Sequence, residues 1–131
     1  MNNISVVKDL IRQFYPFAKK RFGFKKPVRL FLKQDRCNSE DPLGKTAYYD
    51  PENMSITLYI TNRHPKDILR SFSHELVHHK QNCGGCFDNV GGDMGEGYAQ
   101  NNKHLREMES EAYLEGNLCL RDWEDRDKGD R

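Results

Sequence analysis

His74, Glu75 and His78 spell His-Glu-x-x-His inside a stretch whose apolar residues recur at helical spacing. Residues four apart on a helix stand one above the other, so both imidazoles can reach one cation at about 2.0–2.1 Å. Glu75 falls about 100° further round, beside such a cation and not on it. A carboxylate there can take a proton from water held by the metal, the division of labour used in metal-assisted hydrolysis. Two histidines at this spacing can equally be a wet helix face. Context favours the metal: Leu69, Phe72, Leu76 and Val77 form an apolar stripe, and His74 and His78 lie off its centre.

A hydrolytic metal takes three protein ligands and keeps one position for water, so a second segment must contribute. Glu107, Glu109 and Glu111 compete for the role. If that segment is a helix, Leu105, Met108, Ala112, Gly116, Cys119 and Trp123 share one arc, which also contains Glu109. Glu107 and Glu111 fall on the opposite, solvated side. A core-facing carboxylate is costly without a cation or donors to meet it, which singles out Glu109. Gly116 on the same face permits close approach to the motif helix. Two histidines and a carboxylate with an open position suit Zn2+ best, although iron, cobalt and manganese use similar sets. Tyr98, His104, Arg106 and Tyr113 lie in the same part of the chain as donors for a developing oxyanion, with Tyr113 and His104 ranked first.

Cys83-Gly84-Gly85-Cys86 is a second constellation. Cys-x-x-Cys can supply half of a structural zinc site, with Cys37 and Cys119 completing it, or form a redox pair. The half-site is weaker support for a second zinc than for plain thiols, and Cys119 lies on an apolar face where cysteine is commonly a small core residue. His64 reads as a helix-start residue and His79 as a solvated helix residue, neither with assigned chemistry.

The elements that must position these groups follow from periodicity. Val7, Leu10, Ile11, Phe14, Phe17, Ala18 and Phe22 predict a helix over residues 4–22, kinked or split at Pro16 and stopped at Gly23. Val28, Leu30 and Leu32 alternate with charged or outward residues in a first strand. Residues 45–49 and 54–61 flank the turn Asp50-Pro51-Glu52-Asn53 as a hairpin, whose short arm Lys45, Thr46, Ala47, Tyr48, Tyr49 is an exposed sheet edge able to pair with an extended peptide. The motif helix begins near Pro65 and runs to about Asn82. Residues 83–98 hold six glycines and read as a long irregular loop, a lid in one reading. A second long helix is expected over residues 103–122. The fold class is therefore α+β: an N-terminal helix, a small mixed sheet of three to four strands with an exposed edge, the motif helix and a second glutamate-bearing helix. Residues 1–123 form one domain, and the charged residues 124–131 are expected to fray, with Trp123 as an anchor.

Bulk properties narrow the function. The 131 residues are 36% hydrophobic, enough for one domain with a real core. Twenty-one basic and twenty acidic residues leave a net charge of +1, which argues against binding nucleic acid or an anionic membrane through bulk charge. Residues 1–10 lack an apolar run behind a basic start, and no stretch has the roughly 18 consecutive apolar residues of a membrane span. A soluble, cytoplasmic chain with no signal peptide is the expectation.

His74-Glu75-Leu76-Val77-His78 followed by Glu109-Ser110-Glu111-Ala112 resembles the small glutamate-zincin metallopeptidases, in which the first glutamate of a downstream Glu-x-x-Ala binds zinc. The resemblance covers roughly residues 28–120 and extends to uncharacterised small phage-encoded zincins. It implies a minimal zincin fold, zinc on His74, His78 and Glu109, Glu75 as catalytic base, and a peptide or protein substrate lying antiparallel along the edge near Lys45–Tyr49. Many relatives carry aspartate four residues after the glutamate ligand, often orienting a histidine; this chain has Tyr113, a phenol. Two other functions stay open: a catalytically silent metal-binding module that docks a protein partner, and an SprT-like protease acting on nucleic-acid-bound proteins. Glu75 argues against the first, and near-neutral charge against the second.

Overall fold

The computed structural model describes residues 3–35, 46–85 and 98–129. Its order is α1 (Asn3–Phe22), β1 (Arg29–Lys33), β2 (Ala47–Asp50), β3 (Ser55–Tyr59), α2 (Pro65–Cys83) and α3 (Tyr98–Gly129). This is the expected α+β class, with three strands among the described residues.

In α1, Val7, Ile11, Phe14, Ala18 and Phe22 are buried at three- and four-residue spacing, the stripe that periodicity predicts. Pro16 lies inside α1 without splitting it. It is solvent-facing, where water can satisfy the carbonyl that lost its N–H partner. Gly23 closes the helix at φ 79°, its N–H donating to the Lys19 carbonyl at 2.9 Å, a backbone conformation that glycine adopts without strain.

β3 is the central strand. β1 runs parallel to it, with Leu30 opposite Ile56, and β2 runs antiparallel, with Tyr49 opposite Ile56. β2 is thus an edge of the three-stranded sheet. The hairpin turn is locked by Asp50, whose carboxylate accepts from the backbone N–H of Glu52 at 3.0 Å and the Asn53 side chain at 2.7 Å.

α2 is the hub, packing against α1, α3, β2 and β3. His64 is its N-cap, accepting the Lys66 N–H at 3.1 Å, with Pro65 and Asp67 in the first turn. Leu69, Phe72, Leu76 and Val77 are all buried, as their stripe requires.

α3 overruns the expected helix at both ends. It begins at Tyr98 and continues past the expected end at residue 122 to Gly129. Contacts to α1 and α2 hold it down. Trp123 packs edge-on against Phe14 at 5.4 Å between centroids, Lys66 pairs with Glu124 at 3.3 Å, and the Arg126 guanidinium lies 5.7 Å from the Phe17 ring centre. An Arg21–Asp122 ion pair adds a further tie. Most of the glycine-rich segment, residues 86–97, lies outside the described residues, and so does the lid reading. Among the described residues no helix is long and apolar enough to cross a membrane.

Candidate metal centre

The site is built where α2 and α3 come closest. Ser73 Oγ–H donates to the Gly116 carbonyl at 2.7 Å, and a Cβ on Gly116 would lie 3.1 Å from both the Cα and the N of His74. An added Cβ would force the backbones to part by a few tenths of an ångström, so glycine permits the close approach expected for Gly116. The face of α3 is also largely the expected one: Met108, Ala112, Gly116, Cys119 and Trp123 are buried, and Leu105 is half-buried.

Two turns before Gly116, that contact delivers Glu109 to the motif histidines. Glu109 Oε1 lies 2.6 Å from His78 Nε2, and Oε2 lies 3.3 Å from His74 Nε2. The ligand atoms of His74, His78 and Glu109 all fall within 4.8 Å of one another, a group that can hold a metal ion. Two imidazole nitrogens and a carboxylate oxygen converging on one point fit a divalent cation of borderline softness. Glu109 is not core-facing as expected. Its side chain is 52% exposed, because it reaches over the rim of the helix seam and not into it.

Glu75 is only 7% exposed and lines a cavity of about 530 Å³ together with all three ligand residues. Burial pushes its carboxyl up to about 7, with His78 opposing the shift. Such a group takes and returns a proton near neutrality. Burial, reinforced by neighbouring His78, holds the His74 pKa below the usual range, favouring the neutral ring that coordinates metals. The opposite wall is the sheet edge, Thr46, Ala47, Tyr48 and Tyr49.

Of the two favoured oxyanion donors, Tyr113 lines this cavity, its ring 4.5 Å from that of His74. His104 is half-buried and is not part of the cavity wall. Arg106 borders a different, open depression with Lys103, Glu107 and Ser110. The Tyr98 side chain, Cys37 and Cys86 lie outside the described residues, and the Cys83/Cys86 half-site with them. Cys83 and Cys119 are free thiols; Cys119 is fully buried in the core, where burial pushes its pKa up to about 11.

Three residues near the site escaped the sequence reading. His79, expected to be solvated, is fully buried. Its Nε2–H donates to the Lys26 carbonyl at 2.7 Å, so Nδ1 accepts from the Tyr49 hydroxyl, also at 2.7 Å. Asn82 donates to the same hydroxyl and to the Pro51 carbonyl. His79 follows Phe72 by seven residues and Leu76 by three, so the apolar stripe itself pointed to its burial. Arg63, unassigned from sequence, donates to the carbonyls of Thr46, Tyr59 and Asp67 and to Ser71 Oγ, stitching both hairpin arms to the start of α2. Gln81 is the third. It stands one turn beyond His78 and accepts from or donates to it across 2.8 Å, while also reaching Met108 and Glu111. Glu111, expected to be merely solvated, is therefore hydrogen-bonded to α2.

Compared with known protein-family models, with curated proteins and with solved structures, the chain matches none.

Proposed function

We propose that this chain is a zinc-dependent peptidase that hydrolyses peptide bonds. The observation that carries the reading is Glu75: a buried carboxylate in the same cavity as a three-ligand metal group. Holding a metal for stability alone does not call for a second, non-ligating carboxylate in the cavity, and burying one is costly.

His74, His78 and Glu109 would hold the ion. When bound, Zn2+ supplies Lewis acidity, lowering the pKa of a water and polarising a carbonyl. Glu75 accepts the proton from the attacking water and passes it to the leaving amine. Tyr113, on the cavity wall, supplies a hydroxyl donor for the developing oxyanion. The edge strand β2 lines the opposite wall, and an extended peptide adding to that edge as a further strand would carry its scissile bond over the three candidate ligands. The substrate class is thus a peptide or an unfolded protein segment.

The test is Glu75→Gln, assayed on an unstructured protein and a mixed peptide library at matched zinc content. The expected result is full zinc occupancy with hydrolysis reduced at least about 100-fold. Undiminished hydrolysis in this variant would remove Glu75 from the chemistry, and a zinc-loaded wild type inert on every substrate would favour the partner-docking module.

A further inference from the structure

Gln81 is 3% exposed, and its amide spans the seam between the two ligand-bearing helices. Oε1 lies 2.8 Å from His78 Nδ1, and Nε2 lies 3.0 Å from both the Met108 carbonyl and Glu111 Oε1. A backbone carbonyl can only accept, so the side of the amide facing Met108 must be the NH2. The carboxylate of Glu111 demands the same. A flipped amide would set its oxygen against two acceptors in a buried seam, at the cost of two unmade hydrogen bonds. Its oxygen therefore faces His78, and His78 Nδ1 must be the donor. That leaves Nε2, the nitrogen 2.6 Å from Glu109, as the coordinating atom.

We propose that Gln81 is a positioning residue of the metal centre: it fixes the tautomer and ring orientation of His78 and, through Met108 and Glu111, the stretch of α3 that carries Glu109. The inference rests on reading His74, His78 and Glu109 as a metal site. One amide thus holds a ligand of α2 from behind and grips α3 on both sides of the ligand it donates. Groups that hold the far nitrogen of a coordinating histidine are worth about 10–100-fold in metal affinity. A carboxylate or a carbonyl is the usual partner; here a side-chain amide does it, because the same group must also donate to the neighbouring helix.

The experiment compares wild type, Gln81→Leu and Gln81→Glu as full chains. Both variants lose the NH2 that serves Met108 and Glu111 together, but Glu keeps an oxygen that accepts from His78 Nδ1–H. Long-range 1H–15N correlation spectra of the histidine rings, recorded without metal, read the tautomer; Zn2+ affinity is read by chelator competition. The wild type should hold His78 as a single Nδ1–H tautomer. Gln81→Leu should show mixed tautomers and bind Zn2+ about 10–100-fold more weakly. Gln81→Glu should keep the tautomer and bind more tightly than Gln81→Leu. Equal losses in the two variants would mean that Gln81 only packs the helices, and unchanged affinity in Gln81→Leu would also overturn the proposal. A wild type that binds no Zn2+ would instead overturn the metal reading, while the tautomer spectra would still decide whether Gln81 orients His78.

Discussion

At the scale of the residue, burial sets the chemistry of each group. Glu75 is displaced towards neutrality by the cavity it lines, while Glu109, equally a glutamate, stays half-exposed and acts through geometry. Tyr113 and His104 stood level in the sequence as donors; the structure separates them, since only Tyr113 lines the cavity. Tyr113→Phe is therefore expected to keep zinc affinity and lower kcat by roughly 10–100-fold, somewhat less than the loss of a fully enclosed oxyanion donor. His104→Ala should leave kcat within about two-fold, because it removes nothing the cavity presents to a substrate. Steady-state kinetics on one peptide decides both, and the reverse pattern would exchange their roles.

At the scale of the element, two contacts place the candidate ligands and the edge strand β2. The Ser73–Gly116 contact sets the distance between α2 and α3. Gly116→Ala puts a methyl against backbone atoms of His74 that cannot rotate away, so it should cost about 1–3 kcal/mol and weaken zinc binding together. Denaturant melts and zinc titration on the variant test this; unchanged values would mean the helices can part without consequence. The second contact joins Tyr49 on β2 to His79 and Asn82 on α2. Tyr49→Phe takes the hydroxyl partner from the buried His79 Nδ1 and one of the two hydrogen bonds from Asn82, and should cost about 1–3 kcal/mol. If β2 is the proposed peptide-binding edge, the variant should also raise KM more than it lowers kcat, because it loosens that edge and not the candidate ligands. An unaltered KM would detach that edge from substrate binding.

How far the sequence could be read depends on whether a role is set within one element or between two. The motif helix, the hairpin and the buried arc of α3 follow from local periodicity and turn chemistry, and all of them appear in the structure. Glu109 was legible because helical phase picks it out from Glu107 and Glu111. Its exposure was not, since the tilt of α3 against α2 decides how far it overhangs. Gln81 sits at the spacing that faces His78, yet its meaning depends on which carbonyl of α3 lies opposite, a fact of tertiary docking. The continued helix at the C-terminal end likewise depends on Trp123 meeting Phe14 across the fold.

At the scale of the whole molecule, a chain of 131 residues devotes two of its three described helices, α2 and α3, to one candidate three-ligand group, with a thin sheet as the second wall. The same two helices bury much of the core, so an ion held by this group would be coupled to folding: one that binds only the folded chain stabilises it by about 2.7 kcal/mol at 100 times its Kd. The measurement that bears most directly on this is metal content by elemental analysis, on wild type, Glu109→Ala and the Cys83→Ser/Cys86→Ser double variant. One zinc per chain is expected in wild type and in the cysteine variant, and a loss of bound zinc in Glu109→Ala. Wild type that takes up no metal when zinc is supplied, or Glu109→Ala that keeps its zinc with undiminished affinity, would contradict the assignment of this centre.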